Sequence, residues 1–340
     1  MKFQRRAAGA LVLVLCGAGL GALVFDGAAA YGFAHPARLR GAPAPVLRLF
    51  QNLYIRSRNI VQFDESCSRY DDELGWTLRP GGCRFVNSEF SIEIKVNRLG
   101  LRDSDESLRG PQTIVLGDSY AMGWGVREEE AFPRIIARAT GTRVLNAGIP
   151  GYGTVREMRL LDRLDVSRLS TLIVQYCPND YDEDNKDFLE NGGAYVPMPR
   201  AQYEDILAND RRRRSYFPGK YALGVASEAL GPLFRTNAPP AAGAPSAERE
   251  AAAFLNALAH AGRARLAGVR IVVFSVGDAE FISALKTAAR AGRSPPWIKN
   301  IEVVDLPDRS GEPSSGFILD DHLAPRGHAL VAAALLRTYN

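Results

Sequence analysis

The run Thr113-Ile114-Val115-Leu116, ended by Gly117-Asp118-Ser119-Tyr120, constrains the fold of this chain more than any other feature. A β-branched run that stops at a glycine and a small hydroxyl residue reads as strand, sharp turn and helix start. That places Ser119 at the carboxyl end of a strand, where open α/β sheets bind ligands. It also places the serine near a helix N-terminus, whose N–H groups favour developing negative charge. A serine so placed is a candidate nucleophile once a histidine can reach it. Gly-Asp-Ser turns without chemistry are common, so the rest of the chain has to supply the partners.

From residue 111 onward, apolar runs and helical patterns alternate. Strands are expected at 113–116, 143–147, 171–176, 270–276 and 301–305, with helices near 130–139, 154–164, 247–267, 279–291 and 326–339. Such alternation predicts a parallel sheet with helices on both faces. Right-handed crossovers then give a three-layer αβα sandwich on five parallel strands. The stretch 181–246 breaks the rhythm and reads as an insertion. It carries Asn191-Gly192-Gly193, the run Arg211-Arg212-Arg213-Arg214, and Ala238-Pro239-Pro240-Ala241-Ala242-Gly243-Ala244-Pro245, which reads as a flexible tether. The arginine run reads as a solvated helix face; anionic lipid or acidic glycan is the alternative. Upstream, residues 66–110 read as a small β-rich segment, because Phe90, Ile92, Ile94 and Val96 alternate with Ser91, Glu93 and Lys95.

A length of 340 residues allows one large domain or two ordinary ones. The formal charge of +4 is small for that length and does not argue for a nucleic-acid partner. The sequence has no zinc-finger spacing, phosphate loop or dinucleotide fingerprint. Residues 1–30 read as a signal anchor or a signal peptide. Met1 to Arg6 is basic, Ala7 to Phe25 is uncharged and apolar, and Asp26-Gly27-Ala28-Ala29-Ala30 resembles a cleavage site. The length of the apolar run favours a retained anchor, with the basic end kept inside and the rest exported. Cys16 follows the bulky Leu15, which does not fit a lipoprotein site, so it reads as lipid-facing. Residues 31–65 read as a membrane-proximal linker in which Val46 to Ile60 forms a basic amphipathic helix, either on the membrane surface or packed on the domain. In an exported protein Cys67 and Cys83 are disulfide candidates, two buried thiols being the alternative. Cys177 ends an apolar strand and reads as buried rather than catalytic.

Acyl transfer through serine needs a base, a group that orients the base, and donors for the oxyanion. The chain has four histidines. His35 falls in the linker, His260 in an Ala-rich helical stretch, and His328 opens the last helix, where a structural role is expected. His322, in Leu319-Asp320-Asp321-His322, follows the last strand and is the candidate base. Asp320, two residues earlier, is the favoured orienting carboxylate, with Asp321 kept open. Candidate oxyanion donors follow two other strands: a glycine N–H in Asn146-Ala147-Gly148-Ile149-Pro150-Gly151-Tyr152-Gly153, and the Asn179 amide in Cys177-Pro178-Asn179-Asp180.

Gly117-Asp118-Ser119, Gly151, Asn179 and Asp320 with His322 occur in the order of the four blocks of the SGNH hydrolases, also called the GDSL esterase/lipase superfamily. The resemblance covers about 111–340. It implies a flavodoxin-like αβα fold and a serine acyl-enzyme mechanism with no metal or cofactor. Ser119 is then the nucleophile and an oxyanion donor, Gly151 and Asn179 the other donors, His322 the base and Asp320 the third triad member. Two positions depart from the common pattern: Cys177 stands where the third block begins with glycine, and Leu319 stands three residues before His322, where the aspartate usually lies. The spacing Asp320-x-His322 resembles the variant of exopolysaccharide acetyltransferase relatives, and the leader from Asp72 to Arg102 resembles that of membrane-anchored bacterial members. The implied protein is an exported esterase in the bacterial inner membrane, or periplasmic or secreted if cleaved, acting on an acylated glycan or lipid. A polysaccharide O-acetyltransferase and a non-catalytic glycan-binding protein on the same fold are the alternatives.

Overall fold

The computed structural model describes residues 2–234, 245–262, 266–292, 301–307 and 313–339. In chain order the elements begin with helices α1 (Lys2–Ala34) and α2 (Ala44–Ile55), then strands β1 (Ser68–Asp71), β2 (Gly75–Leu78), β3 (Cys83–Asn87), β4 (Phe90–Ile94) and β5 (Thr113–Leu116). Next come α3 (Ser119–Met122), α4 (Phe132–Thr140), β6 (Val144–Asn146), α5 (Thr154–Leu161) and β7 (Thr171–Tyr176). Then follow α6 (Lys186–Glu190), α7 (Arg200–Arg214), α8 (Lys220–Phe234), α9 (Ala247–Gly262), β8 (Arg270–Ser275), α10 (Ala279–Arg290), β9 (Ile301–Val303) and α11 (Pro325–Leu336). The chain forms two units, one of Met1–Arg58, Asn209–Gly243 and Ile318–Asp321, the other of the intervening and following residues.

The larger unit is a three-layer αβα sandwich. Its five strands are all parallel, in the order β6-β5-β7-β8-β9. This is the flavodoxin-like order, with the topological switch beside β5. The central strands are apolar on both faces because both are covered. Ile114, Leu116, Leu172, Val174, Ile271 and Val273 pack on one side with residues of α5, α9 and α10. Their neighbours Val115, Ile173, Val272 and Phe274 pack on the other with α4 and α11. The period of two along a strand dictates that split. Ahead of the sheet lie two antiparallel hairpins, β1 with β2 and β3 with β4. A disulfide joins Cys67 to Cys83. Phe85, Ile92 and Ile94 from the second hairpin share a cluster with Trp124.

The smaller unit is helical. Phe33, Leu53, Tyr54 and Leu319 form its buried cluster, with Phe50 and Tyr221 against it. Two boundaries differ from the sequence expectation. The first helix runs on to Ala34, since nothing between Ala28 and Ala34 breaks it before Pro36. The helix expected over 46–60 stops at Ile55. There Arg56 and Ser57 turn back onto carbonyls of the last turn, with Arg56 N–H on Asn52 and Ser57 N–H on Tyr54. Within 181–246 the chain forms α6, α7 and α8. The tether expected at 238–245 lies, apart from Pro245, outside the described residues.

Candidate functional site

Ser119 opens the single turn of α3, directly after β5. Gly117 makes that geometry possible: its φ is +149°, and a Cβ there would stand 2.6 Å from Ala121 Cβ and from Gln175 Oε1. Asp118 caps the turn, its Oδ1 accepting from Tyr120 N–H at 2.9 Å. Burial pushes the Asp118 carboxyl above its ordinary range, opposed by the Tyr120 N–H and the nearby His322. The Ser119 hydroxyl lies 2.7 Å from His322 Nε2, and both residues are buried. The structure thus brings together two side chains 203 residues apart in sequence.

Two aromatic rings pack against His322. Trp124 stacks on it at 4.5 Å with planes 12° apart, and Tyr120 lies at 5.0 Å. Trp124 owes its place to the turn that follows α3, and that turn is fastened by Arg102. The Arg102 guanidinium donates to the carbonyls of Gly123 and Val126, the latter at 2.7 Å. Burial pulls the Arg102 pKa down to about 10, which leaves it charged at neutral pH. Asn146 fastens the same turn by donating to the Met122 carbonyl at 3.2 Å, while its own N–H donates to Asp103 at 2.9 Å. Sequence reasoning singled out neither Arg102 nor Trp124 as part of the site. The signals available were the position of Arg102 at the end of the leader resemblance and the run Gly123-Trp124-Gly125-Val126 after the serine, which fits the same membrane-anchored members.

The two expected oxyanion loops lie at the ends of β6 and β7. Gly151 has φ +74°, and a Cβ on it would stand 3.1 Å from Trp76 and 3.9 Å from Glu183 Oε1. Asn179 is exposed, and its amide donates to that same Glu183 oxygen at 3.4 Å. Glu183 is therefore a neighbour of both residues, a contact with no counterpart in the sequence reading. Glu183 also lines a cavity of about 440 Å³ with Arg156, Asp187, Asn191, Tyr195 and Gln202. A larger cavity, about 840 Å³, lies between α9 and α10 and contains none of the candidate residues.

In the smaller unit Asp320 is buried and Asp321 is exposed. Arg58 Nη1 donates to Asp320 Oδ1 at 2.7 Å and to Asp321 Oδ1 at 2.5 Å, and Tyr54 Oη reaches Asp320 Oδ2 at 3.4 Å. Burial alone would lower the Arg58 pKa, but the two carboxylates outweigh it and raise it. From the sequence Arg58 reads only as a basic residue of the amphipathic stretch 46–60, and Tyr54 carries no role.

The remaining candidates fall where packing dictates. His328 is buried, and its Nδ1 accepts from Phe132 N–H at 3.4 Å. Burial, with the charges of Arg102 and His322, pushes its pKa down to about 3. Cys177 is buried, and burial raises its thiol pKa far above the ordinary value. Neither group is a reactive centre at neutral pH.

No protein-family model and no curated protein matches the chain. Several solved structures resemble it at low similarity. One is a protein assigned to the lipolytic G-D-S-L family from Desulfitobacterium hafniense, at 12% identity over 66% of this chain and 98% of that chain, TM-score 0.33. Another is a salicylyl-acyltransferase from a tetracycline biosynthetic pathway, at 16% identity over 67% and 54% of the two chains, TM-score 0.36. A third is a carbohydrate esterase, at 14% identity over 68% and 65%, TM-score 0.33. Likenesses this distant carry no argument about activity, and the functional reading rests on the chain's own residues.

Proposed function

We propose that this protein is a serine esterase of the SGNH type, anchored by α1 with its catalytic unit outside the cytoplasm. The observation that carries the reading is the Ser119 Oγ to His322 Nε2 contact of 2.7 Å at the carboxyl end of a parallel strand. His322 takes the hydroxyl proton as Ser119 attacks the ester carbonyl, and returns it to the leaving alcohol. A second cycle with water frees the enzyme. The oxyanion falls to the N–H groups of Ser119 and Gly151 and the amide of Asn179. Asp320, two residues before His322, holds the imidazole with its proton on Nδ1. Burial of Asp320 and exposure of Asp321 support that choice between the two aspartates.

The cavity beside Glu183 supports an ester carried on a carbohydrate. Arg156, Glu183, Asp187, Asn191 and Gln202 offer hydrogen bonds, and Phe188, Tyr195, Val196 and Met198 offer apolar surface. That mixture suits an acylated sugar, whose hydroxyls and acyl group need both kinds of lining. The same cavity keeps polysaccharide O-acetyl transfer as a second reading, since a glycan hydroxyl held there could replace water. The disulfide and the apolar N-terminal helix support export.

The test is Ser119→Ala. Hydrolysis of short acyl esters should fall by about 10⁴-fold or more, with the melting temperature unchanged. Labelling by a serine-directed fluorophosphonate should vanish as well. Wild-type turnover by the variant would overturn the assignment. Acetylated glycan formed from an acetyl donor would select transfer over hydrolysis.

A further inference from the structure

The smaller unit contains a buried carboxylate that the chemistry at Ser119 does not use. Asp26 is the first charged residue after the apolar run of α1, and it is 1% exposed. It accepts from the N–H groups of Gly219 at 2.8 Å, Tyr221 at 3.0 Å and Ala222 at 3.2 Å. These are the donors that the start of a helix leaves over, so Asp26 caps α8 from another helix. Tyr221 also packs edge-on against Phe33 of α1 at 5.3 Å. The first turn of α8 is thereby pinned to α1 at the residue where the apolar stretch ends.

What surrounds that pinned turn is apolar and uncovered. Tyr216 and Phe217, just before it, are exposed. Leu223 and Leu230 are 59% and 47% exposed. They lie seven residues apart, on one face of α8. On α1 nearby, Leu20, Leu23 and Val24 are exposed too, within a segment, Gly9–Ala34, that contains an 18-residue window of mean hydropathy 2.1. Arg211 and Arg212, which precede the aromatic pair, are exposed, as is Arg48 on α2. Basic residues, then aromatic rings, then an apolar helix face is the order a lipid–water boundary selects.

We propose that α8 and the Tyr216–Phe217 turn form a second membrane contact, lying in the interface of an anionic bilayer and docked on α1 through Asp26. The occupant of the exposed face is lipid because that face begins beside Asp26, where the uncharged run of α1 ends, and is flanked by cationic side chains. The proposal also makes α1 a permanent part of the protein. Cleavage among Ala28, Ala29 and Ala30 would remove the cap of α8 and the buried start of the unit's core.

The experiment uses the full chain carrying Cys16→Ser, with single cysteines introduced by Leu223→Cys, Leu230→Cys or, for comparison, Val86→Cys on β3. All three positions are exposed, so the fold should tolerate them. Each variant is spin-labelled and reconstituted in phosphatidylcholine vesicles with and without phosphatidylglycerol. Power saturation then compares collisions with oxygen and with a water-soluble nickel chelate. Labels at 223 and 230 should favour oxygen, more strongly with phosphatidylglycerol present, and the label at 86 should favour nickel. Two results would overturn the proposal. Nickel preference at 223 and 230 would mean a solvated face. Shielding from both reagents would mean a protein partner or a second copy.

Discussion

The two units bury titratable groups in different ways. In the sheet unit, Arg102 and His328 are buried against backbone groups, Arg102 on three carbonyls and His328 on one N–H. In the helical unit Asp26 is also held by backbone N–H groups, but the other buried carboxylates are paired with arginines. Asp320 meets Arg58, and Asp210 meets both Arg213 at 2.5 Å and Arg214 at 2.8 Å. A group satisfied by backbone needs only its own fold to be intact. A paired charge needs its partner, and losing one side chain strands the other in low dielectric. The helical unit should therefore be the more sensitive to single charge deletions, and the sheet unit to pH and redox state.

The largest effect expected on that comparison comes from Arg58→Leu. Asp320 would lose its cation while remaining buried, which costs about 3–5 kcal/mol in comparable pairs. Chemical denaturation of the full chain measures it. The same variant carries a functional signature under the proposed triad, in which Asp320 orients His322. The acid limb of the pH–kcat/KM profile should move to higher pH. A purely structural role for Arg58 would leave that limb in place.

Reducing the Cys67–Cys83 disulfide tests the sheet unit. The bond spans 16 residues, and its loss should lower stability by about 3 kcal/mol. Denaturation curves of wild type and a Cys67→Ser, Cys83→Ser variant would show it, and coincident curves would mean that the bond does not stabilise the fold.

Next in size is the pH response of His328. Its folded pKa, about 3, lies below the unfolded value near 6.5. Between those values the unfolded chain binds the extra proton, so stability rises with pH across the window and falls as pH drops from 6.5 toward 3. From pH 7 to pH 5 the wild type should lose about 2 kcal/mol that His328→Asn, which keeps an acceptor for the Phe132 N–H, does not. Parallel losses in the two proteins would refute the assignment.

The smallest effect concerns Glu183. Its carboxylate holds the Asn179 amide beside Gly151, where the oxyanion is proposed to form. Glu183→Gln removes a negative charge from that position and should raise kcat several-fold, about 1 kcal/mol of transition-state stabilisation. A lower kcat would mean that Glu183 positions Asn179 rather than competes for it.

The sequence by itself determined the sheet unit and singled out Ser119 and His322 within it. Ile114–Leu116, Leu172–Val174 and Ile271–Phe274 are continuous apolar runs, because strands covered on both faces favour apolar residues at every position. Gly117 announces the turn, because only glycine fits at φ +149° with Ala121 and Gln175 so close. These are local signals, each legible within a few residues. Only the tertiary structure decided the contacts within each unit: in the sheet unit Trp124 on His322, Arg102 beneath the turn that carries Trp124 and Glu183 on Asn179, and in the helical unit Arg58 on Asp320 and Asp26 at the start of α8. Each joins side chains whose types suit many partners and whose separation in sequence bears no periodicity. An arginine buried on carbonyls and an arginine in water look alike in one dimension, because burial is a property of the packed chain.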